Sequence, residues 1–139
     1  MSIPEEADFA ILRLNTPWYP VETKNFMAAS FHHGDLDFKG AEKKEILNLL
    51  KKVPSIVDIY LDRPAVIPEI TASATAVIAD FGASDQSVCE VLFGNSEPRG
   101  KLPFELPSSM QAVRQQKTDV PYDSEKPLFK FGFGLRYKE

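Results

Sequence analysis

The sequence predicts an α/β fold: a doubly wound, mostly parallel sheet with helices on both faces. Three observations carry that reading. Three short apolar runs, 9–14, 56–61 and 76–81, have the length of strands. Helical segments, 41–53 and 84–93, alternate with them. The runs read as apolar on both faces, as strands buried in a parallel sheet do. Three or four strands are few for such a sheet, so the sandwich reads as lacking its first strands.

Each element has a local reason. Phe9-Ala10-Ile11-Leu12-Arg13-Leu14 is the first strand, and Pro17 and Pro20 end it. Residues 15–38 then run without a clear period and carry Trp18, Tyr19, Phe26, Phe31, His32 and His33. A loop of this length in a small domain is more often functional than idle. From Ala41 to Val53, the side chains of Ile46, Leu47, Leu49, Leu50 and Val53 share one helical face, and Pro54 stops the helix. The second strand follows at once. Asp62-Arg63-Pro64 turns the chain, with Asp62 and Arg63 paired locally, and 65–70 is expected to form one or two helical turns. After the third strand Gly82 breaks the run, Ser84 caps the next helix, Asp85 sits at the positive end of its dipole, and Gly94 terminates it. Beyond residue 95 come five of the eleven prolines. Residues 101–106 are extended and confined by their prolines to an edge strand or none, Ser108 or Ser109 caps a short helix through Gln116, and 117–139 form an extended tail.

The chain has 139 residues, enough for a single domain with one core. A hydrophobic share of 43% with 26% charged residues excludes wholesale disorder. No apolar run is long enough to span a membrane, and no basic stretch followed by an apolar run reads as a secretory signal. The net charge is −4, and the densest basic stretch, 39–52, also holds Glu42 and Glu45. That balance argues against nucleic acid as a partner. The single cysteine, Cys89, excludes an intrachain disulfide and reads as a small buried hydrophobe.

The common fingerprints fail. There is no Gly-rich dinucleotide turn, no phosphate loop and no Gly-x-Ser-x-Gly elbow. With no phosphate loop after Leu14, Leu61 or Phe81, a flavodoxin-like binding domain is disfavoured, and no cofactor is assigned. His32 and His33 are adjacent, so in extended chain they point to opposite sides and chelate poorly; no metal is assigned either. Asp62 and Asp80 stand at the carboxyl ends of strands, where doubly wound folds bind ligands, though Asp80 can simply accept from the turn after it.

Several longer strings occur in a telling order: Asp58-Ile59-Tyr60-Leu61-Asp62-Arg63-Pro64; Ala79-Asp80-Phe81-Gly82-Ala83-Ser84-Asp85; Val91-Leu92-Phe93-Gly94; Pro98-Arg99-Gly100-Lys101-Leu102-Pro103-Phe104; and Leu128-Phe129-Lys130-Phe131-Gly132-Phe133-Gly134-Leu135. In order and spacing the chain, from Asp8 almost to its end, resembles the C-terminal α/β-sandwich domain of glycoside hydrolase family 3. The resemblance implies a part of a retaining, exo-acting, β-glucosidase-like enzyme. In that family an N-terminal barrel carries the aspartate nucleophile, and the sandwich lends a loop that often carries the acid/base glutamate. The implied partners are a β-linked glucoside or oligosaccharide and a barrel domain of the same parent protein.

On this chain the loop is 15–38. Its stretch 28–34, Ala-Ala-Ser-Phe-His-His-Gly, holds no glutamate. The acid/base therefore falls on Glu22, with Asp35 as the other candidate, and Trp18, Tyr19, His32 and His33 are the sugar-contacting residues. A non-catalytic sugar-contacting or scaffold module of the same fold is the alternative. Missing strands would leave a sheet edge open, which favours self-association.

Overall fold

The computed structural model describes residues 3–137. After a 3-10 turn at Pro4–Glu6, the elements are β1 (Ala10–Asn15), α1 (Phe26–Ala29), α2 (Gly40–Lys52), β2 (Ser55–Tyr60), α3 (Pro68–Ser73), β3 (Ala76–Asp80), α4 (Asp85–Leu92) and α5 (Met110–Gln115). The predicted strands and helices stand within one residue of their expected bounds. The helical turn expected over 65–70 begins later. Ala65, Val66 and Ile67 are buried irregular chain, and Pro68 supplies the first helical φ of α3. The loop 15–38 gains one helical turn, α1, because the Asn25 side chain accepts from the N–H groups of Met27 and Ala28.

The strands form one parallel sheet in the order β1-β2-β3. Leu12 lies beside Val57 and Val57 beside Val77; Arg13 lies beside Asp58 and Asp58 beside Ile78. This register sorts side chains onto two unlike faces. One face carries Leu12, Leu14, Val57, Ile59, Val77 and Ala79, and it is the core face. Both crossovers step the same way across the sheet, so right-handed connections put α2 and α3 on that face together. Ile46 and Leu50 of α2 and Ile70 of α3 pack there with Ile59, which is 1% exposed. Burying a side chain of that size contributes about 1.5–3 kcal/mol.

Helix α4 lies over the opposite face. Asp85 at its start pairs with Arg13, and Phe93 at its end meets Phe9 edge to face, ring centroids 6.5 Å apart. Helices thus flank the sheet on both sides, as predicted, but this second face is not apolar. Arg13, Asp58, Tyr60 and Asp80 stand on it, and β1 alternates between half-buried and exposed residues as an edge strand does. Cys89 is a second correction. It is exposed, because Val88 points inward from α4 and the next residue turns about 100° away.

The C-terminal residues fold back onto the domain. Leu102 and Leu106 enter the core. Their backbones bond to the end of the chain: Leu102 N–H to Phe133 O at 2.8 Å, Gly132 N–H to Leu102 O at 2.9 Å, and Leu106 N–H to Phe129 O at 2.9 Å. Ser109, of the two candidates, caps α5.

Candidate functional site

In a parallel sheet all strands end on the same side, and here those ends carry the loop 15–38 and the turn after β2. Thr16 is buried at the junction. Its hydroxyl donates to Tyr60 O at 2.7 Å and its N–H donates to the same carbonyl at 3.1 Å, which ties the start of the loop to the end of β2. From there the two limbs of the loop, 16–19 and 32–35, run together. The Tyr19 N–H donates to His33 O at 2.9 Å.

The side chains at this base form one cluster. Trp18 and His32 stack, centroids 4.5 Å apart and planes 9° from parallel. The His32 ring is paired through Nδ1 with Asp62. His33 turns the other way, its Nε2 2.9 Å from Ala28 O, against the inner side of α1. The adjacent histidines do point apart, as extended chain requires. Asp62 and Arg63 do not pair with each other. Asp62 takes His32, and among the described residues the Arg63 guanidinium bonds only to backbone carbonyls: those of Pro17, His33 (3.3 Å) and Asp35 (3.1 Å) from Nη2, and those of His32 (3.3 Å) and Gly34 (3.2 Å) from Nη1. A hollow of about 370 Å³ opens at the loop base, lined by Arg13, Asn15, Thr16, Trp18, Tyr19 and Glu42. A cleft of about 420 Å³, mostly apolar, runs beside β3 between Val77, Val88, Val91, Leu102 and Leu135. It holds none of the predicted sugar-contacting residues.

Gly34 closes the base. Its φ is +93°, and a Cβ there would overlap the Tyr19 ring. Gly34→Ala is expected to lower unfolding stability by about 1–3 kcal/mol. Urea denaturation measures this, and an unmoved midpoint would mean that the base is not tightly packed.

The two candidate carboxyls differ sharply. Asp35 pairs with Lys39 and with Arg114 (3.4 Å). The hydrogen bond from Lys39 and the charges of both cations hold its carboxyl below the ordinary aspartate range, although desolvation opposes them. Glu22 is exposed on the protruding part of the loop. That part also presents Phe26, which is 81% exposed, with Met27 and Phe31.

A second charged cluster lies under α4, which the sequence reading missed. Arg13 reaches Asp58 (Nε to Oδ2, 2.7 Å), Asp80 (3.2 Å) and Asp85. Asp58 is fully buried. Its desolvation, and then the neighbouring Asp80, push its carboxyl above the usual range. Burial also acts on Asp80, but the N–H groups of Ala83 and Gly82, with Arg13, outweigh it and hold that carboxyl low. The sequence had placed Asp80 at a strand end and Asp85 at a helix start, but Arg13 and Asp58 showed only as charges inside apolar runs, and the register makes those two neighbours.

The model of the glycosyl hydrolase family 3 C-terminal domain matches residues 1–137. The chain belongs to that family. Beta-glucosidase C of Emericella nidulans is 48% identical over 135 residues, which cover 97% of this chain and 22% of that protein. The periplasmic beta-glucosidase/beta-xylosidase of Dickeya chrysanthemi is 45% identical over 138 residues, covering 97% of this chain and 21% of the other. The chain therefore spans about a fifth of the length of the curated relatives it matches, and corresponds to their C-terminal part. The crystal structure of a beta-glucosidase from Listeria innocua, in complex with isofagomine, superposes over 97% of this chain and 21% of that one, with a TM-score of 0.67 at 20% identity. That likeness bears on the fold: this family 3 domain shares its α/β sandwich.

Proposed function

We propose that this domain is part of a retaining, exo-acting β-glycosidase, lending loop 15–38 to a sugar site completed by a barrel domain that carries the nucleophile. The observation that supports it most is the position of the loop: an aromatic segment fastened at the carboxyl ends of parallel strands, where folds of this class bind ligands. The Trp18–His32 stack and Tyr19 offer flat apolar faces, and His32 Nε2 and His33 Nδ1, the ring nitrogens not engaged by Asp62 and Ala28, offer hydrogen bonds, a combination suited to a sugar ring. The names of the relatives, beta-glucosidase and beta-xylosidase, point to the β-glycoside as the substrate class.

Glu22 is the proposed acid/base. A general acid must hold its proton near neutral pH and reach the glycosidic oxygen. Asp35 is ill suited, because two cations stabilise its charged form. Glu22→Gln in the full-length protein is expected to cut turnover about 10²–10⁴-fold on glycosides with poor leaving groups. Aryl glycosides with very good leaving groups need no protonation and lose much less. Equal loss on both classes, or no loss, would reject Glu22 and favour the reading of a non-catalytic module.

A further inference from the structure

We propose that Arg63 is a positioning residue for loop 15–38, gathering the two limbs of the loop onto the end of β2 and so setting where its exposed tip stands; the consequence for catalysis rests on the sugar-site reading above. The argument begins with the acceptors. The guanidinium meets five carbonyls, those of Pro17, His32, His33, Gly34 and Asp35, and among the described residues none of its hydrogen bonds goes to a carboxylate. All five lie 28–46 residues away in sequence and belong to the loop base. Five carbonyls that converge without a cation would set their negative ends against one another, and at Pro17 the residue is buried as well. A guanidinium suits this task because its donors fan out in a rigid plane. Lysine offers a compact ammonium that cannot span the same arc.

What the base fixes, the tip inherits. Among the described residues the hydrogen bonds within 20–31 are local: Asn25 N–H to Thr23 Oγ1, the Asn25 cap of α1, and Ser30 Oγ to Phe26 O. The contact from the returning limb, His33 to Ala28 O, joins tip to base rather than to the sheet. The position of Glu22 therefore depends on where the two limbs are held. Asp62, the residue before Arg63, adds the side-chain half of the same clamp by pairing with His32, on which Trp18 stacks.

The test uses the full-length protein carrying Arg63→Lys, with two readouts. The first is backbone hydrogen exchange. Amides of the limbs, Tyr19 among them, are expected to exchange about tenfold faster or more, while Val57 and Ile59 of β2 keep their protection. The second is steady-state kinetics on an aryl β-glucoside. A misplacement of order 1 Å costs about 10²-fold, so turnover is expected to fall roughly 10- to 100-fold with a much smaller change in the Michaelis constant. Unchanged exchange in the limbs would overturn the clamp. Faster exchange in β2 as well would overturn it too, by making Arg63 a general stabiliser. Loosened limbs with unaltered turnover would overturn the positioning role. Exchange does not depend on activity, so the clamp can hold even where Glu22→Gln rejects the sugar-site reading.

Discussion

The 139-residue polypeptide on its own is expected to release essentially no p-nitrophenol from aryl β-glucosides. A retaining mechanism needs two carboxyl groups about 5 Å apart on opposite sides of the scissile bond. At the loop base two carboxylates are already engaged, Asp35 by Lys39 and Arg114 and Asp62 by the His32 ring. On the proposed reading the nucleophile belongs to the barrel domain, and Glu22 alone supplies half of a catalytic pair. Losing one member of such a unit removes about 10⁴-fold or more of the rate enhancement. The measurement is colour release by the purified polypeptide against the full-length protein. Turnover within the ordinary range of about 1–10³ per second would show a complete site on this chain and end the shared-site reading.

Much of the fold was legible because its signals are local. An apolar run of six residues, a capping serine and a stop proline each act within one turn of chain, and β1, β2, β3, α2 and α4 stand where those signals place them. Pairings made across tens of residues were not legible. Asp62 and Arg63 read as a local ion pair, yet each finds a better partner in the loop, a histidine ring and a ring of carbonyls. Cys89 read as buried from the company of Val88 and Val91, but helix phase turns it outward. The candidate site was half legible. Trp18, Tyr19, His32 and His33 stood out as aromatic and polar groups in one unpatterned segment, and the structure brings Trp18 against His32 and Tyr19 against the His33 backbone. The pairing that makes Asp35 the poorer candidate was not legible, since one of its cations, Arg114, comes 79 residues later.

The second large effect concerns the charges under α4. Arg13→Met is expected to destabilise the domain in a strongly pH-dependent way, little in acid and on the order of 3 kcal/mol at alkaline pH, where the buried carboxylate of Asp58 would stand without its cation. The sign follows from which form is native. Asp58 is raised, by burial first and by Asp80 next, so it favours the fold below its unfolded pKa of about 3.9 and loses that contribution as pH rises through its folded value. Asp80 is lowered, so its contribution is present above the unfolded value and is lost as pH falls through the folded one. Arg13 serves both by favouring their charged forms, hence its value grows with pH. Urea denaturation at roughly pH 4 and roughly pH 9 measures the difference. Asp58→Asn removes the buried charge while keeping the shape, so in that background Arg13→Met should cost much less at the higher pH. Equal costs at both pH values, or no relief from Asp58→Asn, would mean that Arg13 acts through packing of its methylenes over the sheet and not through the charge it brings to Asp58.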